Sequence, residues 1–193
     1  IISGGQTMNP STQDILEAVN KVPAETVFVL PNNKNIIMAA QQVDALTPKN
    51  VVVIGSKTVP QGVTAMLNFN PEGSVEENTQ AMTDVLGSVE TMQITYAARN
   101  SDFDGFAINE GDYLALEEHQ LFGTDQDLDA LLDRLARSDA HQSAEFISIF
   151  YGEDVTEEQA QKAEAIFTAA CPNAEVSLLS GGQPVYYYMI SAE

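Results

Sequence analysis

Cysteine, histidine and cationic side chains are scarce in this chain. One cysteine, Cys171, and two histidines, His119 and His141, stand among 193 residues. A single cysteine excludes an internal disulfide framework and a cysteine-rich metal site. Neither histidine has a Cys or a second His at metal-ligand spacing, so both read as surface residues. Cys171 ends a helical pattern and reads as a small buried apolar residue, in keeping with a reducing, cytoplasmic setting. No apolar run approaches the roughly 18 residues of a membrane span. Ile1-Ile2 leads at once into a Gly- and Asn-rich loop, so no signal peptide is visible. The sequence begins without Met inside what looks like a motif, as a piece of a longer protein would. No G-x-x-x-x-G-K-[ST] loop and no Ser-His-Asp arrangement is present, so neither ATP binding nor hydrolase chemistry by these residues has a sequence basis.

Only eight residues are Lys or Arg against 28 Asp or Glu, a net charge of −20. The imbalance is uneven: −5 up to Ala98 and −15 from Arg99 onward. Such a surface repels nucleic acid and anionic membranes; it suits a basic protein partner and equally a generic acidic, soluble surface.

What is present is a β-α rhythm. Ser11-Thr12-Gln13-Asp14 has the form of a capping box, followed by Ile15, Leu16, Ala18, Val19 and Val22 on one face. Residues 25–30 and 50–54 are short β-branched runs that suit buried parallel strands. Each precedes a helical pattern, the first through Ile36, Ile37, Ala40 and Val43, the second opened by Pro60. Asn70-Pro71-Glu72-Gly73-Ser74 is a break, and a helix from about Val75 to Leu86 closes the first half. The second half reads differently. Residues 92–97 alternate like a strand, and residues 103–108 and 113–116 are expected to pair across Asn109–Asp112 as an antiparallel hairpin. Thr124 is expected to cap a helix with Leu128, Leu131, Leu132 and Leu135 inward. Strands follow at 146–151, 176–179 and 186–190, with a helix opened by Thr156. In the last strand, alternation sets Tyr187 and Met189 against Tyr186, Tyr188 and Ile190. The fold class is therefore α/β: a parallel-sheet lobe over residues 1–88, then an α+β lobe with a mixed or antiparallel sheet over residues 89–193.

Three loops are rich in amides and hydroxyls: residues 3–11, residues 31–35 and residues 55–62. The last two follow the strand-like runs, and loops of a parallel sheet gather at the carboxyl edge, where ligands bind. Lys34 and Lys57 lie in them, with Thr7, Asn32, Asn33, Thr58 and Gln61 nearby and helix N-termini beyond. That set suits a carboxylate or phosphate; it equally suits turns and helix caps. Asp102-Phe103-Asp104-Gly105 and Asp125-Gln126-Asp127 lack the spacing of a calcium loop and read as turns and helix N-termini. Ser-Gly-Gly-Gln occurs at residues 3–6 and 180–183 with no longer repeat around it.

Taken in order, Gly4-Gly5-Gln6-Thr7-Met8-Asn9-Pro10-Ser11, Leu30-Pro31-Asn32-Asn33-Lys34-Asn35-Ile36, Lys57-Thr58-Val59-Pro60-Gln61-Gly62 and Gly181-Gly182-Gln183-Pro184-Val185-Tyr186 resemble the C-terminal region of the bacterial fatty acid kinase catalytic subunit. That family is also labelled dihydroxyacetone kinase-like, or DAK2-domain. Thr95-Tyr96-Ala97-Ala98-Arg99-Asn100 and Glu110-Gly111-Asp112 add to the likeness, which covers nearly the whole chain. The resemblance implies a longer enzyme with ATP and magnesium bound in another domain. There, a fatty acid presented by a separate DegV-type binding protein becomes an acyl phosphate. It implies that this region engages the fatty-acid-binding partner, is not catalytic alone, and oligomerises, if at all, through other domains. A fainter resemblance, in the loop order Gln6-Thr7, Asn32-Asn33-Lys34 and Ser56-Lys57-Thr58, is to DegV-type proteins themselves. Thr7 keeps a hydroxyl there, while Asn32 and Asn33 stand where that family places serines. The competing expectation is a small-molecule lobe holding a carboxylate or phosphate at Thr7, Asn33 and Lys34. An autonomous phosphotransferase would need a nucleophile or metal cluster that the sequence does not offer.

Overall fold

The computed structural model describes residues 1–2, 9–103, 105–118 and 120–193. Thr7, Asp104 and His119, with the rest of residues 3–8, lie outside the described residues. The chain divides into two compact units, Ile1–Val89 and Glu90–Glu193.

In the first unit, α1 (Thr12–Lys21), β1 (Thr26–Val29), α2 (Lys34–Gln42), β2 (Asn50–Val53), α3 (Val59–Leu67) and α4 (Val75–Asp84) follow in order. The two strands pair in parallel, from Thr26 opposite Asn50 to Val29 opposite Val53. Side chains of a strand alternate between faces. Val27, Val29, Val51 and Val53 accordingly pack with Ile15 and Val19 of α1 and Ile36 and Ala40 of α2. Phe28, Leu30 and Val52 join Ile54, Ala65 of α3 and Met82 of α4. Covering on both faces is why these strands read as unbroken apolar runs. Reciprocal capping boxes start α1, at Ser11 and Asp14, and α4, at Ser74 and Glu77. The break before α4 is tied down by the buried Asn78, whose amide nitrogen donates to the carbonyls of Asn70, Gly73 and Ser74.

The second unit holds β3 (Glu90–Tyr96), β4 (Ser101–Phe103), β5 (Phe106–Ile108), β6 (Tyr113–Glu117), β7 (Gln120–Asp125), α5 (Leu128–Ala136), α6 (Asp139–Ser143), β8 (Phe146–Tyr151), α7 (Glu157–Ala170), β9 (Glu175–Ser180) and β10 (Tyr188–Ala192). Six strands form one mixed sheet in the order β7-β6-β3-β10-β8-β9. Its pairs are antiparallel except β8 with β9, which α7 connects as a crossover. Leu131, Leu132 and Leu135 of α5 and Phe167 of α7 pack with Met92, Ile94, Ile147, Ile149, Tyr188 and Ile190 of the sheet. The mixed α/β class is as the sequence led us to expect.

Four local expectations are corrected. The hairpin is β4 with β5, Phe103 standing opposite Phe106. Between them Gly105 takes φ +87°, and its N–H donates to the Asp102 carboxylate. The shorter connection between β4 and β5 outcompetes the four-residue Asn109–Asp112 connection, which carries a positive-φ glycine of its own, Gly111 at +88°, and β6 pairs with β3 and β7 instead. Thr124 lies in β7 opposite Leu114; the cap of α5 is Asp127, whose carboxylate accepts from the N–H groups of Asp129 and Ala130. β7 is a half-buried edge strand whose residues lack a clear apolar alternation, so local pattern passes over it. The last strand begins at Tyr188, and all five of its residues are buried because it sits inside the sheet between β3 and β8. His141 is fully buried, not on the surface: α6 turns it inward to meet the Phe167 ring edge-on, with centroids 5.0 Å apart.

Candidate functional site

The two described strand-end loops of the first unit are joined through one serine. Asn32 takes φ +55°, the left-handed region that asparagine tolerates. Its N–H donates to Ser56 Oγ at 3.1 Å, and Ser56 Oγ donates back to Asn32 Oδ1 at 2.8 Å. Ser56 is wholly buried. The Asn32 amide also lies against α3: a Cβ on Gly62 would come within 2.0 Å of Asn32 Oδ1. Gly62 therefore serves a close approach between two chain segments. The sequence marks Ser56 and Gly62 only faintly, by a small hydroxyl ending an apolar run and a glycine inside a helix's first turn.

The remaining residues of the set close helix ends. Asn33 is the N-cap of α2, accepting from the Asn35 N–H. Thr58 is the N-cap of α3, accepting from the Gln61 N–H. The Gln61 side chain bridges backward and outward, its Oε1 accepting from the Lys57 N–H at 2.8 Å and its Nε2 donating to the Leu86 carbonyl at 3.1 Å. Much of the first-turn donor capacity of both helices is thus spent within the chain. Lys34 and Lys57 are exposed at the starts of α2 and of the α3 cap. Asn32, Asn33, Thr58 and Gln61 are brought together with them at one edge of the β1–β2 pair, and Thr7 lies outside the described residues.

In the second unit, residues 181–187 form a tightly held loop. Gln183 Nε2 donates to the Phe150 carbonyl, Thr95 Oγ1 to the Val185 carbonyl, and the Gly152 N–H to the Tyr187 carbonyl. A Cβ on Gly152 would sit 2.3 Å from the Tyr186 carbonyl oxygen, so glycine is required there. The Tyr186 N–H donates to the Pro184 carbonyl, closing a three-residue turn around Val185 at φ +72°. A β-branched residue at positive φ stores strain that the surrounding bonds must hold. Beside it, Tyr187 packs edge-on with Tyr96 and Tyr113, at centroid distances of 5.9 and 5.6 Å. Burial first, then neighbouring tyrosines and Asp154, pushes the Tyr187 hydroxyl up from its ordinary value.

The charge of the second unit is largely uncompensated. Arg134, Arg137 and Lys162 pair with Asp125, Asp133 and Asp129. Glu153 and Asp154 after β8 and Glu157 and Glu158 in the first turn of α7 form an exposed acidic run. Where carboxylates crowd, protonation is favoured: burial, with Glu90 and Glu118 adding to it, raises the Glu117 carboxyl. Among the described residues no group of three or more His, Cys, Asp or Glu could hold a metal ion, and no helix is long and apolar enough to cross a membrane.

Residues 1–193 match the family model that describes the C-terminal region of FakA-like fatty acid kinase proteins. Protein YloV of Bacillus subtilis is 41% identical over 193 residues, covering all of this chain and 35% of YloV. The chain thus spans about a third of the length of the curated relatives it matches. Among solved structures, the Streptococcus pneumoniae fatty acid kinase B3 protein loaded with linoleic acid superposes with a TM-score of 0.66 at 15% identity, over 95% of this chain and 76% of that one. A DegV family protein of Eubacterium eligens loaded with heptadecanoic acid gives 0.71 at 18% identity, over 95% and 78%. At such identities the likeness is one of fold.

Proposed function

The chain belongs to the FakA-like C-terminal family of fatty acid kinase proteins, and from that premise we propose that it is a docking module for a DegV-type fatty-acid-binding protein. In this reading the partner presents its fatty acid, and the longer protein phosphorylates the carboxylate with ATP and magnesium bound elsewhere. The product is an acyl phosphate, and no residue of this chain is assigned to the chemistry.

The observation that carries the reading is the placement of charge. Of a net −20, −15 falls from Arg99 onward, with three of the four cations there held in ion pairs. The exposed carboxylates of β8–α7 offer a face to a basic partner, where complementarity speeds encounter and sets orientation more than it adds affinity. The strand-end loops support the same choice, since Asn32, Asn33, Thr58 and Gln61 spend their hydrogen bonds on the scaffold. Calorimetry of this chain against the DegV-type partner at low and moderate salt tests it. Binding that weakens as salt rises is the expected result; no binding by the folded chain would refute it.

A second reading rests on Lys34 and Lys57, two exposed cations at neighbouring helix starts. It makes the edge a site for a carboxylate or phosphate, with Thr7, Asn33 and Lys34 as its contacts. In that case Lys34→Ala should remove any stabilisation by such a ligand.

A further inference from the structure

Helix α3 has its polarity turned inside out. Its buried residues are Pro60, Gln61, Gly62, Thr64 and Ala65. Val59, Val63, Met66 and Leu67 are 42%, 37%, 62% and 80% exposed. These four fall at i, i+4, i+7 and i+8, the spacing of a single helix face. A helix facing only water carries its large apolar residues on the opposite side. The surroundings have the same character. From Thr26 to Pro71 the only acidic residue is Asp44, against Lys34, Lys49 and Lys57, in a chain with 28 acids. Asp44 itself accepts from the Val51 N–H. In sequence the carboxylates thin out around this ridge, and those of the neighbouring α4, Glu76, Glu77 and Asp84, come only after Pro71.

The size of the ridge selects its occupant. Nine helical residues run about 13 Å, and one helix is about 10 Å wide, giving roughly 130 Å². A specific interface between free proteins needs about 800 Å² on each side. So small a patch does not offset the translational and rotational cost of capturing a free partner. A tethered segment, present at an effective concentration near the millimolar range, escapes most of that cost. A second copy would bury no more than the same small ridge on each side, between chains that repel at a net charge of −20. A bilayer is a poor match, because a chain of net charge −20 is repelled by anionic lipid and α3 is only nine residues long. The relatives supply the tether, since this chain spans only 35% of YloV.

We propose that Val59, Val63, Met66 and Leu67 dock a helix from the part of the longer protein outside these 193 residues. That helix carries an apolar ridge of its own and an acidic residue at the end that meets Lys57. The contact is independent of the docking function above, and the two stand or fall separately.

Methionine oxidation by hydrogen peroxide in the native full-length protein, read peptide by peptide by mass spectrometry, tests this without a probe. Met66 is the reporter, and the buried Met82 and Met92 are the protected references. Met66 is expected to oxidise at least about tenfold more slowly than in the urea-unfolded protein, close to Met82 and Met92, and equally so on dilution. Val63→Asp, at a partly exposed position, is expected to restore its rate. Oxidation of Met66 within about twofold of the unfolded rate overturns the proposal. So does protection that fades on dilution, which would indicate a second copy, and so does protection that survives Val63→Asp.

Discussion

Lowering the pH from about 7 to about 5 should destabilise the second unit through His141 by about 2 kcal/mol. His141 is fully buried; its Nδ1 shares a hydrogen bond with Ser138 Oγ, and its Nε2 has no hydrogen-bond partner among the described residues. Burial pushes the imidazole down from 6.5 to about 4, with the Leu135 carbonyl pulling the other way. The unfolded chain therefore takes up the proton first. Stability from the neutral ring is complete above the unfolded value and fades as pH falls toward the folded one. The whole displacement is worth about 3 kcal/mol, of which about 2 falls between pH 7 and pH 5. Other groups act differently. Glu117, raised by burial and by Glu90 and Glu118, contributes stability below its unfolded value that is lost as pH rises through its folded value. Asp14, Glu77 and Asp133 are lowered by their hydrogen bonds, to Ser11, Ser74 and Arg137, so their contribution disappears only at lower pH. Comparing the protein with its His141→Leu variant cancels these terms. Urea unfolding of both, followed by far-UV circular dichroism at the two pH values, should show the parent losing about 2 kcal/mol more than the variant. Equal losses would mean that the imidazole is not held neutral in the core, and the reasoning would fail.

Gly62→Ala should cost about 1–3 kcal/mol, because the new methyl collides with the Asn32 amide. Adding Asn32→Gly, which clears the obstruction and suits φ +55°, should recover part of that loss in the urea midpoint; no recovery would place the strain elsewhere. Val185→Gly should stabilise the second unit by about 1 kcal/mol by releasing a positive-φ β-branched residue, measured by thermal unfolding, and a loss of stability would contradict the strained turn. Asp127→Ala should cost about 1 kcal/mol in the same assay by removing the N-cap of α5, whereas Thr124→Ala should not produce a capping loss.

Elements whose cause is local were legible in the order of residues alone. The β1 and β2 runs are apolar without interruption because both faces are covered. The α1 start is written in Ser11 and Asp14, and α7 is announced by Thr156. The family was legible as several loop motifs in a fixed order, and the matching family model covers all 193 residues. Packing and pairing settled what depends on partners distant in sequence. β7 became a strand through its pairing with β6, and the central place of β10 follows from pairing with β3 and β8 on either side. At the candidate edge, residue types suggested a ligand and helix caps equally. The choice of partner for Asn32 required Ser56, 24 positions away, and the close approach of Gly62. His141 looked like a surface histidine because nothing in its neighbourhood marks burial; Phe167, brought by another helix, encloses it. Helix period reveals which residues share a face, and only packing assigns that face to core or surface, which is why the outward ridge of α3 appears in the fold and not in the pattern.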